Sequence, residues 1–91
     1  MKVIDFFGSW CGPCRTYKTT FEKVSKMEEF RDVDFQELDV ETYEDEATKY
    51  GIRGVPSTVF INSKGEVVDK LVGLQTEDAL VNKIREAFQK A

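Results

Sequence analysis

An apolar strand runs into a pair of cysteines and the cysteines run into a helix, which leaves the chain little choice of fold around them. Val3-Ile4-Asp5-Phe6-Phe7 reads as a buried strand, Gly8-Ser9 breaks it, and Trp10-Cys11-Gly12-Pro13-Cys14 follows. Beyond Cys14, apolar residues recur at Tyr17, Phe21, Val24 and Met27, which is the stripe of a helix. Pro13 suits the first turn of that helix, where its missing N–H is not needed. Cys11 then falls at the helix N-terminus, where free N–H groups and the positive end of the dipole favour a thiolate. Cys14 lies one turn further in, beside the apolar stripe, and is expected to be the less accessible sulfur. Residues three apart share a helix face at a Cα separation that suits a disulfide. The pair can therefore pass between dithiol and disulfide with little rearrangement. Its asymmetry implies that Cys11 attacks a disulfide to form a mixed disulfide, which Cys14 then resolves.

The rest of the chain alternates between strand and helix. The pattern predicts a strand over 2–7, a helix over 12–29, a strand over 33–39, a helix over 42–50 and a strand at 57–61. A turn at Asn62-Ser63-Lys64-Gly65 leads into a strand over 66–72, and a last helix begins near Thr76, a good N-cap. The first βαβ unit must be parallel with a right-handed crossover, and the hairpin antiparallel. The expected fold is α/β, β-α-β-α-β-β-α, with a four-stranded mixed sheet flanked by helices on both faces.

The 91 residues allow one domain, 1–91, with a modest core. A net charge of −4, with lysines and arginines scattered among acids, argues against nucleic acid as a partner. No apolar run approaches the roughly 20 residues of a membrane span, and Asp5 interrupts any signal-peptide core almost at once. Taken with Met1 as its start, the chain is expected to be cytoplasmic and monomeric. In that reducing compartment a cysteine pair is more often catalytic or metal-binding than a structural staple. A metal site needs about four ligands, yet the chain has two cysteines and no histidine, so no metal is expected unless two copies share one.

Asp5 lies among Val3, Ile4, Phe6 and Phe7 in a strand that should be central. A buried carboxylate is costly to ionise, so its pKa should be raised. Strand alternation puts Glu37 on the same face as Val33 and Phe35. If that face covers the first helix, Glu37 approaches Asp5 as a second acid and the two should titrate together. Trp10, next to the attacking sulfur, is expected to be an exposed contact surface.

These residues carry a resemblance. Ile4-Asp5-Phe6, Trp10-Cys11-Gly12-Pro13-Cys14, Tyr50-Gly51-Ile52-Arg53-Gly54-Val55-Pro56-Ser57 and Val72-Gly73-Leu74, in that order, resemble the thioredoxin family nearly end to end. The resemblance implies the strand order 2-1-3-4. It implies a trimmed fold as well, because thioredoxins carry a further strand and helix before the strand that bears the motif. It implies a protein disulfide reductase with no organic cofactor, since Cys11 and Cys14 carry the electrons. Its partners would be disulfide-containing client proteins and an electron donor of the thioredoxin-reductase type. By the same resemblance Pro56 is a cis-proline facing the cysteines. Trp10, Gly12, Pro13, Val55, Pro56 and Gly73 would line the substrate groove, and Asp5 would help move the proton of Cys14. The chain departs from the family in three places. Thr19 stands where a proline usually kinks the first helix, Phe7 where a tryptophan is common, and Glu37 where a lysine often accompanies the buried aspartate.

Other readings stay open. A glutaredoxin-like, glutathione-dependent reductase would carry two glycines after the last strand, but Leu74-Gln75 follow Gly73 here. A disulfide oxidase or isomerase would more often place histidine between the cysteines, where this chain has Gly12-Pro13. A non-catalytic subunit of a larger complex would keep its function without either cysteine.

Overall fold

β1 (Lys2–Phe7) lies inside the sheet, parallel to β2 (Asp34–Asp39) on one side and antiparallel to β3 (Ser57–Ile61) on the other. β4 (Val67–Val72) pairs antiparallel with β3, giving the order β2-β1-β3-β4. This is the order that the resemblance implied. The computed structural model describes residues 1–89; Lys90 and Ala91, the end of the expected 1–91 domain, lie outside them.

The alternation of β1 divides the core in two. Val3 faces α1 (Gly12–Ser25) and α3 (Glu77–Phe88), where it joins Tyr17, Phe21, Phe60, Leu80 and Ile84. Ile4 and Phe6 face the other way and pack with Val59, Ile61 and Ala47 of the short helix α2 (Glu44–Lys49). Asp5 shares the face of Val3, under α1. Thr76 caps α3 by accepting the Ala79 N–H at 3.1 Å, as its position predicts.

The first helix stops earlier than its pattern suggests. α1 ends at Ser25, Met27 turns extended (ψ 133°), and a short 3-10 turn, Glu28–Phe30, follows. The reason lies in Phe30. Continued as a helix, the chain would carry Phe30 about 180° away from Phe21. The break instead buries Phe30 against Phe35, with ring centres 6.4 Å apart. α2 is likewise shorter than the predicted 42–50; it starts after Tyr43, whose side chain makes no capping hydrogen bond. α1 itself runs unbroken through Thr19.

Candidate active site

Cys11 and Cys14 are joined as a disulfide across the first turn of α1, with Cα atoms 5.2 Å apart. Cys11 is the N-cap of the helix, and its sulfur accepts the backbone N–H of Cys14 at 3.1 Å. A sulfur held there meets the unpaired N–H groups of the helix terminus, which stabilise negative charge on it. Both cysteines are buried as whole residues, 5% exposed for Cys11 and 3% for Cys14, so exposure separates them less than the sequence suggests. Their surroundings separate them clearly: the Cys11 sulfur meets the loop before Pro56, whereas Cys14 lines a cavity.

The Cys11 sulfur lies 3.8 Å from the carbonyl oxygen of Val55. Val55 joins Pro56 through a cis peptide bond. The Pro56 carbonyl in turn accepts the Gly73 N–H at 2.7 Å, which ties the end of β4 to this loop. Trp10 is 66% exposed. With Val40, Ile52, Arg53, Gly54 and Val55 it lines a cleft of about 130 Å³. Gly12 and Pro13 are exposed on the first turn of α1, and a Cβ at Gly12 would meet nothing within 4 Å. Val72 and Leu74, either side of Gly73, are exposed apolar side chains. Gly73 has φ +93° and open space where a Cβ would stand. Any side chain there would strain the backbone whatever it did to a ligand.

Cys14 faces the other way, into a cavity of about 180 Å³ that it lines with Asp5, Gly8, Arg15, Lys18 and Glu37. Asp5 is 1% exposed, and no protein group among the described residues donates to either of its carboxyl oxygens. Its strand neighbours are Glu37 on β2 and Thr58 on β3. Burial, reinforced by the negative charge of Glu37 and opposed by Lys18, pushes the Asp5 pKa up to about 7. Glu37 therefore does approach Asp5, and its own carboxyl is pushed up first by burial. On the far side of Asp5, the buried hydroxyls of Tyr17 and Thr58 bond each other at 2.7 Å. The arrangement sets one sulfur beside a backbone acceptor, the Val55 carbonyl, and the other beside a cavity that holds a buried acid whose pKa is pushed up to about 7.

Three residues at the site went unnoticed in the sequence. Glu41 accepts the Trp10 indole N–H at 3.2 Å; nothing in its neighbourhood announces this. Gly8 reads only as the end of a strand, yet a Cβ there would stand 2.8 Å from the Trp10 ring. Lys18 could have been found, because it lies one turn after Cys14 on the same face of α1.

A thioredoxin family model matches residues 1–86. The chain belongs to the thioredoxin family. It is 36% identical over 86 residues to a thioredoxin of Borreliella burgdorferi, covering 94% of this chain and 72% of that one. To thioredoxin H4 of Arabidopsis thaliana it is 42% identical over 76 residues, covering 84% of this chain and 62% of the relative. The solved structure of a Malassezia sympodialis thioredoxin superposes with a TM-score of 0.86 at 35% identity, covering 94% of this chain and 73% of that one. The chain thus spans only part of the length of the thioredoxins that it matches.

Proposed function

We propose that the chain is a thiol–disulfide oxidoreductase that reduces protein disulfides through Cys11 and Cys14. The observation that carries this reading is the pair itself, held across the first turn of α1 with the Cys11 sulfur 3.8 Å from the Val55 carbonyl oxygen. In the reduced protein the Cys11 thiolate attacks one sulfur of a client disulfide. A Cys11–client bond forms, the client S–S bond breaks, and the first client thiolate leaves. Cys14 then gives its proton to Asp5 and attacks the Cys11 sulfur. The Cys11–Cys14 bond forms, the mixed disulfide breaks, and the second client thiolate is released. Two electrons have moved from the pair to the client, and an electron donor of the thioredoxin-reductase type returns them. The pair is the electron carrier, so the cycle needs no organic cofactor.

The client backbone would lie along Val55, extended as in strand addition, which gives affinity without strict sequence choice. Trp10, Gly12, Pro13, Pro56 and Gly73 would border it. Among the described residues no helix is long and apolar enough to cross a membrane. We place the cycle in the cytoplasm, where a reducing pool keeps such a pair charged.

Reduction of insulin by dithiothreitol, followed as turbidity, tests the reading. The native chain should accelerate precipitation and Cys11→Ser should fall to the uncatalysed rate. Cys14→Ser should accumulate a mixed disulfide visible on a non-reducing gel. Iodoacetamide should modify Cys11 first in the reduced protein. No acceleration by the native chain would overturn the proposal, and faster alkylation of Cys14 would reverse the roles.

A further inference from the structure

Asp5 stands at the inner end of a row of charges. Glu37 sits beside it on β2, on strands that run about 4.8 Å apart. Lys18, one turn after Cys14 on α1, reaches over from the helix to bond Glu37 at 3.2 Å. The same ammonium bonds Glu22 at 2.8 Å. Exposure rises along the row, from a buried Asp5 to 26% for the Glu37 side chain and 59% for Lys18. Asp5, Cys14, Lys18 and Glu37 all line one cavity.

The other sides of Asp5 offer it no comparable control. From β3 it faces Thr58, which is uncharged and already bonded to Tyr17 of α1. Arg15 of α1 lines the cavity as a fixed cation that makes no hydrogen bond or ion pair to a side chain among the described residues. Only Glu37 and Lys18 form an adjustable pair. With Lys18 on Glu37, the negative charge beside Asp5 is largely cancelled and Asp5 ionises more readily. With Lys18 drawn to Glu22 alone, the bare Glu37 carboxylate holds the proton on Asp5. Because Glu22 supplies a second partner, Lys18 can shift without losing its ion pair.

We propose that Glu37 and Lys18 are positioning residues that set the pH at which Asp5 can take the Cys14 proton, an inference that rests on Asp5 being the base for Cys14. They touch neither sulfur in this scheme and act only through Asp5. The directions of the charge effects on Asp5 agree: Glu37 raises its pKa and Lys18 lowers it.

Stopped-flow reduction of dithiobis(nitrobenzoate) by the reduced protein separates the steps, because one coloured thiolate leaves at each. The first phase reports attack by Cys11 and the second reports resolution by Cys14. Glu37→Gln should leave the first phase unchanged and move the pH midpoint of the second down by about one pH unit, as loss of a neighbouring like charge does. Lys18→Gln should move it up by about as much. Glu37→Asp, which keeps the charge, should keep the native midpoint. Asp5→Asn should remove the pH-dependent part of the second phase. If Asp5→Asn retains the native second phase, Asp5 is not the base and the underlying reading fails. If Asp5→Asn slows it but Glu37→Gln and Lys18→Gln leave the midpoint in place, the reading stands and this inference is overturned. A change in rate with no movement of the midpoint counts the same way, since a merely structural role would do that.

Discussion

At Asp5 a carboxyl is fully enclosed without a hydrogen bond from any described protein group, and that sets how the fold responds to pH. Its pKa is about 7 in the folded chain against an ordinary 3.8. Below about pH 4 both folded and unfolded chains hold the proton, and burying Asp5 costs the fold nothing through ionisation. Between about 4 and about 7 the unfolded chain has released the proton while the folded chain keeps it. The unfolded state then binds fewer protons, so stability falls as pH rises, by on the order of 4 kcal/mol across the window. Above pH 7 this contribution has been lost and changes no further. Urea denaturation of the oxidised protein should show the decline. Asp5→Asn should flatten it and stabilise the fold at pH 8 by about 1–2 kcal/mol, less than the whole amount because the buried amide also lacks partners. A native curve flat between pH 4 and 8 would show that Asp5 is ordinarily hydrated. Tyr17 adds a second test on the same face. Tyr17→Phe leaves the Thr58 hydroxyl buried without its partner and should cost about 1–3 kcal/mol, read as a lower melting temperature.

At the scale of elements, the junction of β1 and α1 was the part most open to reading from sequence. A short, nearly continuous apolar strand, a breaker and a period-3.6 stripe fix where Cys11 and Cys14 must stand, and the apolar neighbours of Asp5 in that strand point to its burial. The end of α1 was not readable, because it depends on Phe30 packing against Phe35 of β2 in the folded core rather than on any local stop signal. Glu41 was hidden for the same reason: its partner Trp10 is 31 residues away, and only the fold brings them together. Gly8 is the clearest case of a residue whose local reading was true but incomplete. It ends the strand and also leaves room for the Trp10 ring. Gly8→Ala should push the indole off its seat and break its bond to Glu41. Trp10 is the only tryptophan in the chain, so its fluorescence reports the change directly. Losing an exposed hydrogen bond and a fixed ring is worth about 1 kcal/mol, which should slow client reduction about fivefold. An unchanged emission spectrum and unchanged turnover would show that Trp10 needs no such seat.

Across the whole molecule, the two faces of the sheet are unequally secured. α1 buries Tyr17, Phe21 and Val24, and α3 buries Leu80, Val81 and Ile84, all in one core. On the other face α2 has six residues, no side-chain cap and one buried side chain, Ala47. A helix that short has little stability of its own and depends on its packing. The wall of the cleft is tied to it, because the Ile52 N–H bonds the Ala47 carbonyl at 2.9 Å and Ile52 leads through Gly54 to Val55. Opening of α2 should therefore loosen the surface that receives a client while the α1 face stays closed. Hydrogen exchange should show the amides of Ala47, Tyr50 and Ile52 opening at least about 2 kcal/mol below those of β1 and β3. Ala47→Gly, which weakens the helix by about 1 kcal/mol and removes its one buried methyl, should speed exchange at Ile52 and weaken client binding. It should leave the slowest amides of β1 and β3 lowered only by the global loss of stability. If all these amides exchange at one rate in both proteins, α2 and the sheet open as a single unit, and the cleft is as rigid as the core beneath it.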